Sequence, residues 1–136
     1  MRAMGSPALA IAILDDEEAF RRALSRLLRA HDHDVFAFDT GEALLGAVRT
    51  RKFDCLLLDL DMPGMSGFDV LAELARNPAS PPVIAITGND DPDFAQRALG
   101  LGAFACQRKP VGAAALLETI ERACAGLRPG AVNPLH

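Results

Sequence analysis

Five short apolar runs, each followed by a stretch with helical spacing, constrain this chain more than any other feature. They occupy residues 9–14, 35–38, 53–58, 83–86 and 103–107. The runs are continuous rather than alternating, the pattern of strands covered on both faces in a parallel sheet. Residues 17–30 place Phe20, Ala23, Leu24, Leu27 and Leu28 on one helical face and four arginines on the others. Thr40 suits the N-cap of a helix running to about residue 51, with Leu44, Leu45 and Val48 inward. Ser66-Gly67-Phe68-Asp69 fits a capping box after a Met62-Pro63-Gly64 turn. Pro78, Pro81 and Pro82 break that helix, Pro92 suits the first turn of the next, and Gly100 and Gly102 stop it. A last helix covers about residues 112–125. Five such units predict an α/β fold with a doubly wound, five-stranded parallel sheet.

A chain of 136 residues, half of them apolar, has room for one domain and its core. The domain is expected over 9–126, with an N-terminal tail at 1–8 and a C-terminal tail or start of a linker at 127–136. The net charge is −4 and the basic residues are scattered, which argues against direct nucleic-acid binding. No apolar run approaches the ~20 residues that cross a bilayer. Residues 1–7 lack the apolar core of a signal peptide. Cys55, Cys106 and Cys124 have no metal-ligand spacing and read as buried thiols in a reducing cytoplasm.

Doubly wound sheets gather their chemistry outside the carboxyl ends of the strands. Asp15-Asp16 close the first run, Asp59 the third, Thr87 the fourth, and Lys109 follows the fifth. Three carboxylates on one rim repel one another unless a cation offsets them. An oxygen-only donor set suits Mg²⁺ or Mn²⁺ better than zinc. A carboxylate nucleophile, a metal and an ammonium are the equipment for phosphoryl transfer to an aspartate, and the Thr87 hydroxyl can bond a phosphoryl oxygen. Taken singly, these residues have plainer readings: a helix N-cap pair for Asp15-Asp16, strand-end residues for Asp59 and Thr87, a solvated lysine for Lys109. Their order, each after a predicted strand, argues against those readings.

The acidic pair Asp15-Asp16, the run from Leu56 through Asp59, Asp61 and Pro63 to Gly67, the triplet Ile86-Thr87-Gly88, and Lys109-Pro110 together resemble the receiver (CheY-like) domain of two-component response regulators. The resemblance covers about residues 9–125. It implies the (βα)5 flavodoxin-like receiver fold, with Asp59 as phosphoacceptor. It also implies a metal site in which Asp16 and Asp59 are ligands, Asp15 acts through water and Asp61 gives its backbone carbonyl. Thr87 and Lys109 would bind the phosphoryl oxygens, the Lys109–Pro110 peptide would be cis, and Gly88, Asn89, Cys106 and Pro110 would form the switch region. The implied partners are a sensor histidine kinase or phosphotransfer protein, and an output partner or output domain on the face of the fourth helix, fifth strand and fifth helix. A phosphorylation-dependent homodimer is a further implied partner. Such a domain is not a turnover enzyme; it catalyses only its own phosphorylation and dephosphorylation. It can stand alone or form the N-terminal piece of a longer regulator.

Three positions carry particular interest within that resemblance. Cys106 stands where the family usually has Tyr or Phe, and is too small to report phosphorylation by swinging its side chain. Asp61 and Asn89 occupy the two positions whose side chains can reach a water attacking the phosphoryl group. Two alternatives differ in class: a haloacid-dehalogenase-like phosphatase, suggested by Asp59-Leu60-Asp61, and a pseudo-receiver that binds partners without phosphorylation. The phosphatase would want its nucleophile after the first strand and a further acidic motif beyond Lys109, neither of which the sequence offers.

Overall fold

The computed structural model describes residues 8–126, so the tails expected at 1–8 and 127–136 lie almost wholly outside the described residues. The elements alternate as β1 (Ala10–Leu14), α1 (Glu18–Ala30), β2 (Asp34–Phe38), α2 (Gly41–Thr50), β3 (Cys55–Asp59), α3 (Gly67–Ala75), β4 (Val83–Thr87), α4 (Pro92–Gly100), β5 (Ala105–Arg108) and α5 (Ala113–Cys124). The strands form one parallel sheet in the order β2-β1-β3-β4-β5. That order reverses between β1 and β3, which opens a crevice beyond their carboxyl ends.

Alternation along each strand divides the core into two layers. Ala12, Leu14, Leu56, Leu58 and Ala85 face α2, α3 and α4. Ile11, Ile13, Leu57, Ile84 and Ile86 face α1 and α5. Both sides of the central strands are therefore apolar, and the sequence runs show no polar alternation for that reason. No helix among the described residues is long and apolar enough to cross a membrane.

Local chemistry sets the helix ends. The Thr40 hydroxyl accepts from the Ala43 N–H at 3.2 Å. Ser66 and Asp69 close a reciprocal capping box at the start of α3. Pro92 takes the first turn of α4, and Gly102, at φ 104°, turns the chain away after its end.

Three expectations need correction. The fifth strand starts at Ala105, not at residue 103, and runs on to Arg108; Ala103 and Phe104 are buried ahead of it. The third strand starts at Cys55 and includes Asp59. Phe53 is buried before it, edge-on to the Phe36 ring at 5.6 Å, so its apolarity reflects aromatic packing rather than strand pairing. Only Cys55 is a buried thiol; Cys106 and Cys124 are half-buried.

One close approach fixes α3 beneath the rim. A Cβ on Gly67 would overlap the Asp59 carbonyl oxygen and stand 2.6 Å from Leu60 Cα. Both are backbone atoms and cannot rotate aside. Gly67→Ala should cost at least about 2 kcal/mol of unfolding free energy in urea titrations. Gly46→Ala, at a helical site with nothing within 4 Å of the new methyl, should be neutral or stabilise by about 0.5 kcal/mol. Equal stability of the two variants would refute the steric argument.

Candidate functional site

Register places four polar residues at one rim. β1 carries the chain to Asp15, and β3 ends on Asp59 beside it. Asp15 and Asp59 are buried, while Asp16 is exposed. Asp15, Asp16 and Asp59 each offer a carboxylate oxygen, and these oxygens lie within 4.8 Å of one another. Asp15 Oδ1 accepts the Glu17 N–H at 2.8 Å. Its Oδ2 accepts no well-directed hydrogen bond and meets only the Lys109 ammonium, at 3.2 Å, among the described residues. An underused buried oxygen beside two further carboxylates, with no His or Cys in the set, fits a hard divalent cation.

Lys109 is the positive counterpart. The Lys109 Nζ lies 3.2 Å from Asp15, 3.8 Å from Asp59 and 3.9 Å from Glu17, and sits 4.3 Å from the centre of the Phe20 ring. Burial works against its charge, but Asp59 and Asp15 outweigh burial and raise its pKa. Burial also raises Asp59, from its ordinary 3.8 to about 6; the charges of Asp15 and Asp61 push the same way, against the Asp61 N–H and Lys109.

A second group forms across the crevice. Asp61 donates its N–H to Asp59 Oδ1 at 3.0 Å. Its carboxylate accepts the Thr87 hydroxyl, 3.0 Å from each oxygen, and the Gly88 N–H at 2.6 Å. The Asn89 N–H in turn donates to Thr87 Oγ1 at 3.0 Å.

The family described as response regulator receiver domain matches residues 11–121. The chain belongs to this family. Response regulator TodT of Pseudomonas putida is 37% identical over 90% of this chain and 54% of its own length. Sensory/regulatory protein RpfC of Xanthomonas campestris pv. campestris is 37% identical over 79% of this chain. The chain thus spans about half of TodT (54%) and 15% of RpfC. The FixJ-N crystal structure superposes with a TM-score of 0.83 at 32% identity, covering 90% of this chain and 98% of that one.

Within this receiver, the residues singled out from the sequence fall into distinct groups. Asp15, Asp16, Asp59 and Lys109 meet at the crevice. Thr87 and Gly88 meet through Asp61, whose side chain is engaged with both rather than open to water alone, and Asn89 joins through its N–H to Thr87 Oγ1. The Lys109–Pro110 peptide is cis. Cys106 pairs with Ala85 in the sheet and packs half-buried against the α4 layer, one pleat below the rim. Burial, helped by the charge of Asp61, pushes its thiol up to about 11, so it is no thiolate near neutral pH. Sequence reasoning missed the Phe20 ring and Glu17 carboxylate beside Lys109. It also missed Arg21, whose Nη1 donates to the Asp15 carbonyl at 2.8 Å. Phe20 and Arg21 lie on the first turn of α1 and Glu17 stands at its N-cap, where only amphipathic spacing was read.

The raised Asp59 pKa has a signed consequence in metal-free protein. The folded chain holds this proton more tightly than the unfolded one, so the stabilisation is complete below about pH 4. It is lost as pH rises through about 6. With a chelator present, Asp59→Asn should exceed the wild type in stability by about 2 kcal/mol at pH 8, with the gap closing near pH 4. A pH-independent gap in denaturant titrations would show that Asp59 is not held at an electrostatic cost.

Proposed function

We propose that Asp59 accepts a phosphoryl group from a phosphohistidine, and that the label switches a protein-interaction face. The observation that carries this reading is the setting of Asp59: 3% exposed at the end of β3, grouped with Asp15 and Asp16, and 3.8 Å from the Lys109 ammonium. With its pKa at about 6, Asp59 is mostly ionised at neutral pH and has a lone pair to use. One of its oxygens attacks phosphorus as the P–N bond breaks. The imidazole nitrogen leaves with the bonding pair and is protonated by solvent, and Asp59 becomes an acyl phosphate.

Asp15, Asp16 and Asp59, with the Asp61 carbonyl, are the groups that would hold Mg²⁺ or Mn²⁺, which supplies charge neutralisation for the phosphoryl oxygens. Lys109 keeps its proton throughout and offsets negative charge on the same oxygens. Thr87 and the Gly88 N–H supply the remaining donors. Because the chain performs one transfer to itself, its activity is autocatalytic labelling and not substrate turnover. Family membership supports a sensor histidine kinase or phosphotransfer protein as donor and a cytoplasmic setting. The output face assigned here is α4–β5–α5, engaging an output domain, a partner or a second copy. On that face Arg108 is exposed, and Phe94 packs edge-on against Phe68 at 5.3 Å under Arg97.

Acetyl phosphate with Mg²⁺ should add one labile phosphoryl group to the wild type and none to Asp59→Asn. Intact mass distinguishes this from continued turnover or no labelling, and an unchanged label in Asp59→Asn would falsify the assignment. Asp16→Ala should weaken Mg²⁺ binding at least about tenfold, since a ligand is lost outright. The chain has no Trp or Tyr, so calorimetry is the suitable measurement. Equal affinity of the two proteins would remove Asp16 from the metal site.

A further inference from the structure

We propose that the Asp61 carboxylate is a built-in occupant of the phosphoryl-oxygen donors, which a phosphoryl group on Asp59 must displace. This deepens the reading above and rests on it. The donors concerned are the Thr87 hydroxyl and the Gly88 N–H. Each has a single hydrogen to give. The Thr87 hydroxyl spends its hydrogen on the Asp61 carboxylate, 3.0 Å from both oxygens, and Gly88 spends its own on Oδ2 at 2.6 Å. The amide bond goes to a carboxylate and is therefore charge-assisted. While Asp61 stays, neither donor is free for an oxygen on Asp59.

The occupant and the group that replaces it are both anions. A phosphoryl group adds a charge of about −1.5 to −2 next to Asp61. Asp61 already sits close enough to Asp59 to raise its pKa and to donate its own N–H to Oδ1. Repulsion therefore drives the side chain out. Asp61 is exposed, so it swings into water without losing solvation, whereas a buried carboxylate would have nowhere to go.

Leaving is also transmitted. Thr87 Oγ1 donates to Asp61 while accepting from the Asn89 N–H at 3.0 Å. Asn89 Oδ1 accepts from Asp91 N–H at 2.8 Å, and Asp91 caps α4 through the Asp93 N–H at 3.0 Å. Four linked polar contacts thus run from Asp61 to the start of α4. Turning the Thr87 hydroxyl toward a phosphoryl oxygen releases this chain at its origin. The switch is then an exchange of one anion for another, and Asp61 sets how readily the phosphorylated arrangement is reached.

The test uses Asp61→Ala, which removes charge and acceptors, and Asp61→Asn, which removes the charge and keeps one acceptor oxygen. In metal-free, unphosphorylated protein the Gly88 amide proton should lie far downfield and move upfield in Asp61→Ala. With Mg²⁺ present, the apparent affinity for beryllium fluoride, a tetrahedral phosphoryl mimic, should rise about tenfold in Asp61→Ala, with Asp61→Asn between it and wild type. An unmoved Gly88 amide, or equal affinity gains in the two variants, would reduce Asp61 to a nearby charge and overturn the proposal. Should wild type bind no beryllium fluoride while the Gly88 amide still moves, the phosphoacceptor reading fails, and the displacement proposal fails with it.

Discussion

The carboxylates crowded at the ends of β1 and β3 are the constraint from which the rest of this receiver follows. Asp15 and Asp59 are buried side by side, with Asp16 within reach. Desolvation, with the charge of Asp15 beside it, opposes the ionisation of Asp59. The described residues offer one cation inside the crevice, Lys109, and it is shared among Asp15, Glu17 and Asp59 at 3.2 to 3.9 Å. One ammonium cannot balance three carboxylates. The imbalance that weakens the fold is the same imbalance that makes the crevice attractive to a divalent ion and then to an electrophilic phosphorus. Stability and function draw on one electrostatic deficit, so the core beneath must hold the rim in place against it.

It does so through backbone contacts more than through side chains. Leu60 N–H donates to the Ile86 carbonyl at 2.9 Å, and Lys109 N–H to the Thr87 carbonyl at 2.8 Å. These bonds extend the sheet ladder past the strand ends and fix the loops that carry Asp61 and Lys109. Gly67 brings the first turn of α3 against the Asp59 carbonyl, and the Ser66–Asp69 box fixes that turn. The residue is a glycine because two backbones meet there; the requirement concerns space, not conformational freedom. On the other side, Arg21 ties the first turns of α1 to the Asp15 carbonyl. The site is therefore built on element ends pinned from three directions, which is what an arrangement of like charges needs to keep its geometry.

Much of this was legible in the sequence, for a physical reason. Continuous apolar runs record burial on both faces of a sheet, and polar residues at the ends of those runs record the rim, so the sequence pattern alone gathers Asp15, Asp59, Thr87 and Lys109. Caps were equally visible at Thr40, Ser66 and Pro92, because their chemistry is local. What was not legible depends on contacts across loops. Phe104 looked like strand because it is apolar, yet its burial comes before the ladder of β5 begins. Gly67 was read as part of a cap, since a close approach of two backbones leaves no mark besides the glycine itself. Asp61 was read for its carbonyl and for a water; its carboxylate's partners lie 26 and 27 residues away, a distance over which spacing says nothing. The engagement of Phe20 with Lys109 is hidden in the same way, as one more apolar residue on an amphipathic face.

Cys106 gives the last step. A small thiol at this place in β5 leaves the space above Ala85 without a bulky ring, and its raised pKa makes it a neutral, unreactive filler. Between the crevice and the proposed output face, two routes of different character connect the elements. One is the polar chain from Thr87 through Asn89 and Asp91 to the start of α4. The other is β5 itself, where the Lys109 backbone is bonded to Thr87 and Gln107 Nε2 holds Thr119 of α5 at 2.7 Å. The β5 route is part of the sheet ladder and is stiff. The α4 route consists of single side-chain bonds to backbone amides, part-buried at Thr87 and exposed at Asn89 and Asp91, each worth about 1 kcal/mol. Bonds of that size break and re-form at an energy that one new phosphoryl contact can supply, whereas sheet pairing does not. With no aromatic ring at this position of β5, the weakest restraints between the crevice and α4 lie in the loop before α4.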